Sequence, residues 1–225
     1  GSWFESDRGN LLGRLCARFG LPWGKQPGPQ GNEVPVHWVR IARPYWLAAT
    51  EVTNLQYERF DPEHARSEYS RGDHHPVGVS WEGARRYCEW LSGRGPLKVR
   101  LPSESEWEYA CPTDSGAIRP TDTASLEQFA WNLPNADMRT WPVGRKRPNA
   151  WNLYDMCGNV REWYADWYSA DYYLHSPSRD PVGPATGEMR TARGSCLIDL
   201  PPSVSAAYRG GSSSHTHRLR KRSPC

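Results

Sequence analysis

The stretch from Pro148 to Tyr168, Pro-Asn-Ala-Trp-Asn-Leu-Tyr-Asp-Met-Cys-Gly-Asn-Val-Arg-Glu-Trp-Tyr-Ala-Asp-Trp-Tyr, limits what this chain can fold into more than any other. Aromatic side chains at that density fill a core. The carboxylates threaded between them, Asp155, Glu162 and Asp166, demand partners once buried. A loop folded around a hard cation meets both demands. Asp155 and Glu162 supply carboxylate oxygens, and the turn at Cys157-Gly158-Asn159 is able to aim carbonyls inward. The same residues also allow a metal-free loop in which Glu162 pairs with a buried arginine.

The chain has 225 residues, enough for one large domain or two small ones. Only 37% of residues are hydrophobic, yet 12 are Trp and 11 are Tyr, so aromatics rather than aliphatics are expected to build the core. Twenty Gly and 20 Pro place much of the backbone in turns and loops. There is no membrane-spanning run, signal-peptide core, heptad or internal repeat. The formal net charge is +3, and the segment from Arg209 to Cys225 holds five cations and no acid, leaving about −2 for the rest. Such a tail suits nucleic acid or an acidic partner, or is simply a solvated terminus. None of the six Cys residues stands in CxxC spacing, which argues against a zinc or thioredoxin-type centre. Reduced thiols in a cytoplasmic setting are expected.

Along the chain, residues 1–31 read as a peripheral arm, with one amphipathic turn through Leu11, Leu12, Leu15 and Phe19. Residues 32–225 read as the main domain. Val34, Val36, Trp38, Val39 and Ile41 are expected to form a strand, and Tyr45-Trp46-Leu47 a second. Thr53 with Gln56, and Ser103 with Glu106, form capping boxes for two short helices. Ser80 caps a third, whose buried face carries Ala84, Tyr87, Cys88 and Leu91. Beyond residue 112 mostly loops and short strands are expected. Early helices followed by an irregular β region give an α+β fold.

Several segments follow one family's order: Glu51-Val52-Thr53-Asn54, His75-Pro76-Val77, Val79-Ser80-Trp81, Arg100 to Ala110, Pro142-Val143-Gly144, Pro148 to Trp163 and Tyr208-Arg209-Gly210. From about Glu33 to Arg209 the chain resembles the formylglycine-generating enzyme (sulfatase-modifying factor) family. The resemblance implies a C-type-lectin-like fold with small twisted antiparallel sheets, two main helices and long loops. It also implies structural calcium, held by Asp155, the carbonyls of Gly158 and Val160, and Glu162. A second cation site falls near Asn132 or Asn135.

Enzymes of the family oxidise a substrate cysteine with copper held by a pair of Cys, because soft thiolates suit Cu(I). Here the two Cys positions fall on Asp199 and Val204, neither a soft ligand, so no copper is expected. Cys196 lies nearby, with the distant Cys225 as its one candidate partner; as a lone nucleophile it would need a base, and a packed thiol is the simpler reading. His74 and His75 are adjacent and so face apart, while His215 and His217 share one strand face without enough companions to name a metal.

The family's usual buried C-terminal strand is replaced by Gly211 to Arg222, which has only Leu219 to bury. That end resembles the variable proteins of diversity-generating retroelements, a branch that displays changing residues on the lectin-like scaffold. The leading expectation is therefore a non-catalytic, monomeric binding module. Its ligand face comprises Cys196, Leu197, Asp199, Ser212, Ser213, Ser214, His215, His217, Arg218 and Arg220, flanked by Trp131 and Trp141. The expected ligand is a protein or peptide, with the basic run favouring an acidic one. The alternatives are a metal-dependent oxidase acting on a cysteine or sulfur substrate, and nucleic-acid binding through the basic tail.

Overall fold

The computed structural model describes residues 3–5, 31–111, 123–199 and 206–213. Five strands and four α-helices are described: β1 Trp3–Glu5, β2 Trp46–Ala48, α1 Asn54–Tyr57, α2 Trp81–Ser92, α3 Glu104–Ala110, α4 Thr123–Phe129, β3 Glu162–Trp167, β4 Met189–Arg193 and β5 Gly210–Ser213. β1 and β2 pair as a small antiparallel sheet, and β3-β4-β5 form a second, also antiparallel. This is the α+β, C-type-lectin-like architecture expected from the sequence. Among the described residues no helix is long and apolar enough to cross a membrane.

The helix starts form as their local chemistry dictates. Thr53 accepts from the Gln56 N–H at 3.3 Å while Gln56 accepts from the Thr53 N–H at 2.9 Å. Ser103 and Glu106 repeat that exchange at 3.2 and 2.8 Å, and Ser80 accepts from the Gly83 N–H at 3.1 Å. Each cap satisfies helix-end donors that no intrahelical carbonyl can reach. On the expected face of α2, Tyr87 is buried, while Ala84, Cys88 and Leu91 are half-buried. Its first residue, Trp81, donates its indole N–H to the Tyr164 carbonyl at 2.8 Å. The Arg190 guanidinium lies 3.7 Å from the Trp81 ring centroid and 3.5 Å from that of Trp167, so a cation fastens α2 to the sheet.

Three expectations about elements are corrected. Val34 to Ile41 is not a strand: only Arg40 pairs, its N–H donating to Ser178 and its carbonyl accepting from Asp180. Val36 and Trp38 stand 65% and 73% exposed, so their alternation finds no sheet to bury against. α4 forms where loops and short strands were expected, because Leu126 and Ala130 bury into the core at 3% and 0% exposure. Gly210–Ser213 begins the region expected to be only a displayed surface, yet it pairs along β4 as an edge strand. Gly211 makes this possible, since a Cβ there would lie 2.5 Å from the Tyr168 ring. Trp3–Glu5, within the segment expected as an arm or insertion, pair with β2. The Leu11 to Phe19 turn lies outside the described residues.

The main core gathers Trp107, Leu126, Trp151, Leu153, Met156 and Tyr164, drawn from α3, α4, the 148–160 loop and β3. The aromatic character expected from composition is therefore seen in the core itself. Glu104 and two arginines penetrate beside it. Arg209 donates to both Glu104 oxygens at 2.6 and 2.8 Å, and Arg193 Nε lies 3.1 Å from Glu104. That last N–H is not aligned to donate, so the contact is coulombic.

Asp166, the third carboxylate of the 148–168 stretch, is engaged at the start of α3. It is 3% exposed and accepts the Glu104 N–H at 2.9 Å. Burial, with Glu104 and Glu106 nearby, raises its pKa to about 7. A folded pKa above the unfolded value stabilises the fold at low pH, and that contribution is lost as pH climbs through about 7. Asp166→Asn should match the parent at pH 4 and exceed it at pH 8, by on the order of 2 kcal/mol. Urea titrations at both pH values check this. A difference that does not change with pH would show that Asp166 is already ionised when buried.

Candidate functional site

The 155–162 loop is the centre of the site. Asp155 and Asn159 adopt left-handed backbone conformations, φ 56° and 63°, which pinch the loop tightly. Gly158 is required by contact: a Cβ there would lie 2.5 Å from the Trp131 carbonyl oxygen. Asn159, wholly buried, donates its N–H to that same carbonyl at 2.9 Å. Its side chain accepts the Trp141 N–H at 2.9 Å and donates to the Trp141 carbonyl at 3.1 Å. Its own carbonyl accepts the Leu197 N–H at 3.1 Å. One loop thus holds Trp131, Trp141 and the 196–199 segment in place.

Of the expected cation ligands, Asp155 and Glu162 lie within electrostatic reach of each other, and a third acid, Glu51, lies within reach of both. Asp155 accepts the Gly144 N–H through Oδ2 at 2.7 Å, while its Oδ1 is buried with no hydrogen-bond partner. Glu162 accepts the Tyr164 hydroxyl at 3.4 Å. Glu51, which sequence reasoning missed, lies buried beside both, its Oε1 equally unpartnered. It sits in the Glu51-Val52-Thr53-Asn54 motif, but nothing local distinguishes it from an ordinary surface acid. Burial pushes Asp155 up to about 6 and Glu162 up to about 7, and holds Glu51 well above the usual carboxylate range. The neighbouring acids push Glu51 and Glu162 further in the same direction, while Lys146 lowers Asp155. Among the described residues no arginine pairs with Glu162; its neighbour Arg161 bonds Asp199 instead.

These residues fit a hard cation. Buried carboxylate oxygens with no donor are what such an ion satisfies, and an oxygen-only donor set suits calcium. Among the described residues no group of three or more His, Cys, Asp or Glu side chains is placed so as to hold a metal ion. The expected set needs only two carboxylates, completed by the Gly158 and Val160 carbonyls. Near the second expected site, Asn132 is wholly buried with both amide atoms unpartnered, whereas Asn135 is used in hydrogen bonds to Asn132 and Ala130.

Of the two residues expected at the copper positions, one is described. Asp199 is tied into the fold: it accepts the Cys196 N–H at 2.9 Å and pairs with Arg161 at 3.2 Å. Val204 lies outside the described residues. Cys196 is wholly buried and disulfide-bonded, so the expectation of a packed free thiol fails, and that of reduced thiols fails at this position. Two free thiols do converge, Cys111 and Cys157, but in the core and away from the family's positions.

The expected ligand face is only partly a surface. Cys196 and Leu197 are 0% and 2% exposed, so neither is available to a ligand; both are packing residues under the cation loop. Ser212 is half-buried and Ser213 exposed on the edge strand. Ser214, His215, His217, Arg218 and Arg220 lie outside the described residues, as does Cys225. Trp131 and Trp141 stack in parallel, centroids 4.4 Å apart and planes 8° from parallel. Lys146 covers Trp131 at 3.8 Å and Arg139 covers Trp141 at 4.1 Å. The rings therefore offer edges rather than free faces, and the stack presents positive charge.

Fold and loop together define a lectin-like scaffold organised around an oxygen-lined loop. A sulfatase-modifying factor enzyme 1-like domain is recognised over residues 19–219, and the chain belongs to that family. It is 36% identical over 234 residues to the formylglycine-generating enzyme of Streptomyces coelicolor, covering 76% of this chain and 72% of that one. It is also 34% identical, over 80% of its length, to serine/threonine-protein kinase pkn1 of Chlamydia pneumoniae, but spans only 32% of that protein. Among solved structures, PvdO from Pseudomonas aeruginosa superposes with a TM-score of 0.75, at 25% identity, covering 85% of this chain and 83% of that one. Treponema denticola variable protein 1 superposes with a TM-score of 0.68, at 24% identity, covering 78% and 81%.

Proposed function

We propose that this chain is a non-catalytic recognition module built on the sulfatase-modifying factor scaffold and braced by calcium at Asp155, Gly158, Val160 and Glu162. The observation that carries it is Asp199. Where the family's enzymes place a thiolate, this chain has a carboxylate spent on Arg161 and the Cys196 N–H. An acid so engaged is neither a soft-metal ligand nor a redox group.

The proposed ligand is an acidic protein or peptide segment. The Arg139–Trp141–Trp131–Lys146 stack supplies cations held in fixed positions by aromatic rings, and Arg145 and Arg147 stand exposed beside it. The 155–162 loop positions both tryptophans, so the cation and the recognition surface share one support. A protein named as variable has the same fold, in keeping with a scaffold that tolerates a changing surface around Ser212 and beyond. The disulfide at Cys196 favours an oxidising compartment over a reducing one.

The test is binding to an array of acidic peptides. Arg139→Ala with Lys146→Ala should weaken capture about tenfold, with folding intact, and binding should fall as salt rises. Conversion of a cysteine-containing sulfatase peptide to formylglycine by the copper-treated protein would overturn the reading in favour of an oxidase.

A further inference from the structure

We propose that Cys111 and Cys157 are an oxidisable pair that closes to a disulfide and clamps the end of α3 to the cation loop. Their sulfurs lie 3.6 Å apart, although the residues are 46 positions apart in sequence. Both are free thiols, 2% and 8% exposed. Cys111 is the C-cap residue of α3, and Cys157 lies between Asp155 and the Gly158 turn. Closing the bond requires the sulfurs to approach by about 1.5 Å, within the adjustment available to a loop residue and a helix cap.

The surroundings set which oxidant reaches them. A small crevice lined by Phe129, Arg147, Leu153 and Met156 touches both cysteines. It suits a small oxidant and excludes a protein one, so the oxidant class is a peroxide. One thiol gives up its proton and attacks the peroxide, breaking its O–O bond; the departing hydroxide takes that proton and leaves as water, and a sulfenic acid remains. The second thiol then displaces the sulfenic hydroxyl as a second water, and the S–S bond forms. Two thiols and one peroxide thus yield one disulfide and two waters. Cys88, half-buried in α2, offers an internal control. The disulfide at Cys196 shows that the fold already accommodates one cross-link.

The experiment treats the whole protein with stoichiometric hydrogen peroxide, then denatures, alkylates and digests it without reductant. A peptide joining Cys111 to Cys157, with Cys88 still alkylated, is expected. The melting temperature should rise by several degrees and fall back with dithiothreitol, because closing so long a loop restricts the unfolded chain. Cys157→Ala should abolish the rise, while mapping of the parent does not depend on that variant folding. Recovery of Cys111 and Cys157 both alkylated would overturn the proposal. So would a mapped cross-link that leaves the melting temperature unchanged, since no clamp would then exist.

Discussion

Glu104→Ala is expected to cost about 3–5 kcal/mol, the largest loss for any single side chain outside the aromatic core. The reason is what remains behind. Glu104 is 4% exposed, and it is the acid on which two buried guanidinium groups converge. Burial already drags Arg193 down to about 10, against the pull of Glu104 that raises it. Without that carboxylate, Arg193 retains Glu108 and two backbone carbonyls, and Arg209 retains the Asn32 carbonyl and the face of Tyr173. Neither set supplies a fully buried counter-charge. For a chain of this size the loss corresponds to roughly 10 °C in melting temperature. Arg85→Ala breaks two ion pairs in α2 that are exposed on both sides, and should stay within about 0.5 kcal/mol. Parallel urea titrations compare the two. A Glu104→Ala loss no larger than that of Arg85→Ala would mean that water reaches the arginines.

Calcium should raise the melting temperature of the parent by about 10 °C when free ion exceeds its dissociation constant a thousandfold, from about 4 kcal/mol of linkage. Chelation should reverse the gain. Glu162→Ala should melt below the calcium-loaded parent, and added calcium should not restore it. The physical basis is the buried Asp155 and Glu51 oxygens that lack any donor, beside a Glu162 whose carboxyl is pushed up to about 7 by burial. The same titration followed by Trp fluorescence should report on Trp131 and Trp141, which hang from Asn159. A parent indifferent to both calcium and chelator would remove the cation from the scaffold.

What could be seen in the residues, and what could not, divides by the range of the interaction. The three N-caps are legible because each is settled within four residues, by a hydroxyl and the N–H groups ahead of it. The aromatic character of the core follows from composition, although Trp38 and Trp46 stay exposed. The pairing of Asp155 with Glu162 is legible because both acids sit close together in one segment around Gly158. Val34 to Ile41 misleads for the complementary reason: alternation marks a strand only if a partner strand exists, and here only Arg40 finds one. Cys196 and Leu197 look like display positions in a loop, but their burial depends on Asn159 and on what packs above them.

By itself, the order of residues determined the helix starts, the acid-bearing turn and the family. Those are matters of side-chain type and of neighbours a few bonds away. Only the tertiary structure decided that Glu51 comes within electrostatic reach of Asp155 and Glu162, that Asp199 answers to Arg161, and that Cys111 meets Cys157. It also decided that two cations cap the stacked tryptophans. Charge pairing, desolvation and sulfur contact act through space, and the distances that govern them exist only after the chain has closed on itself.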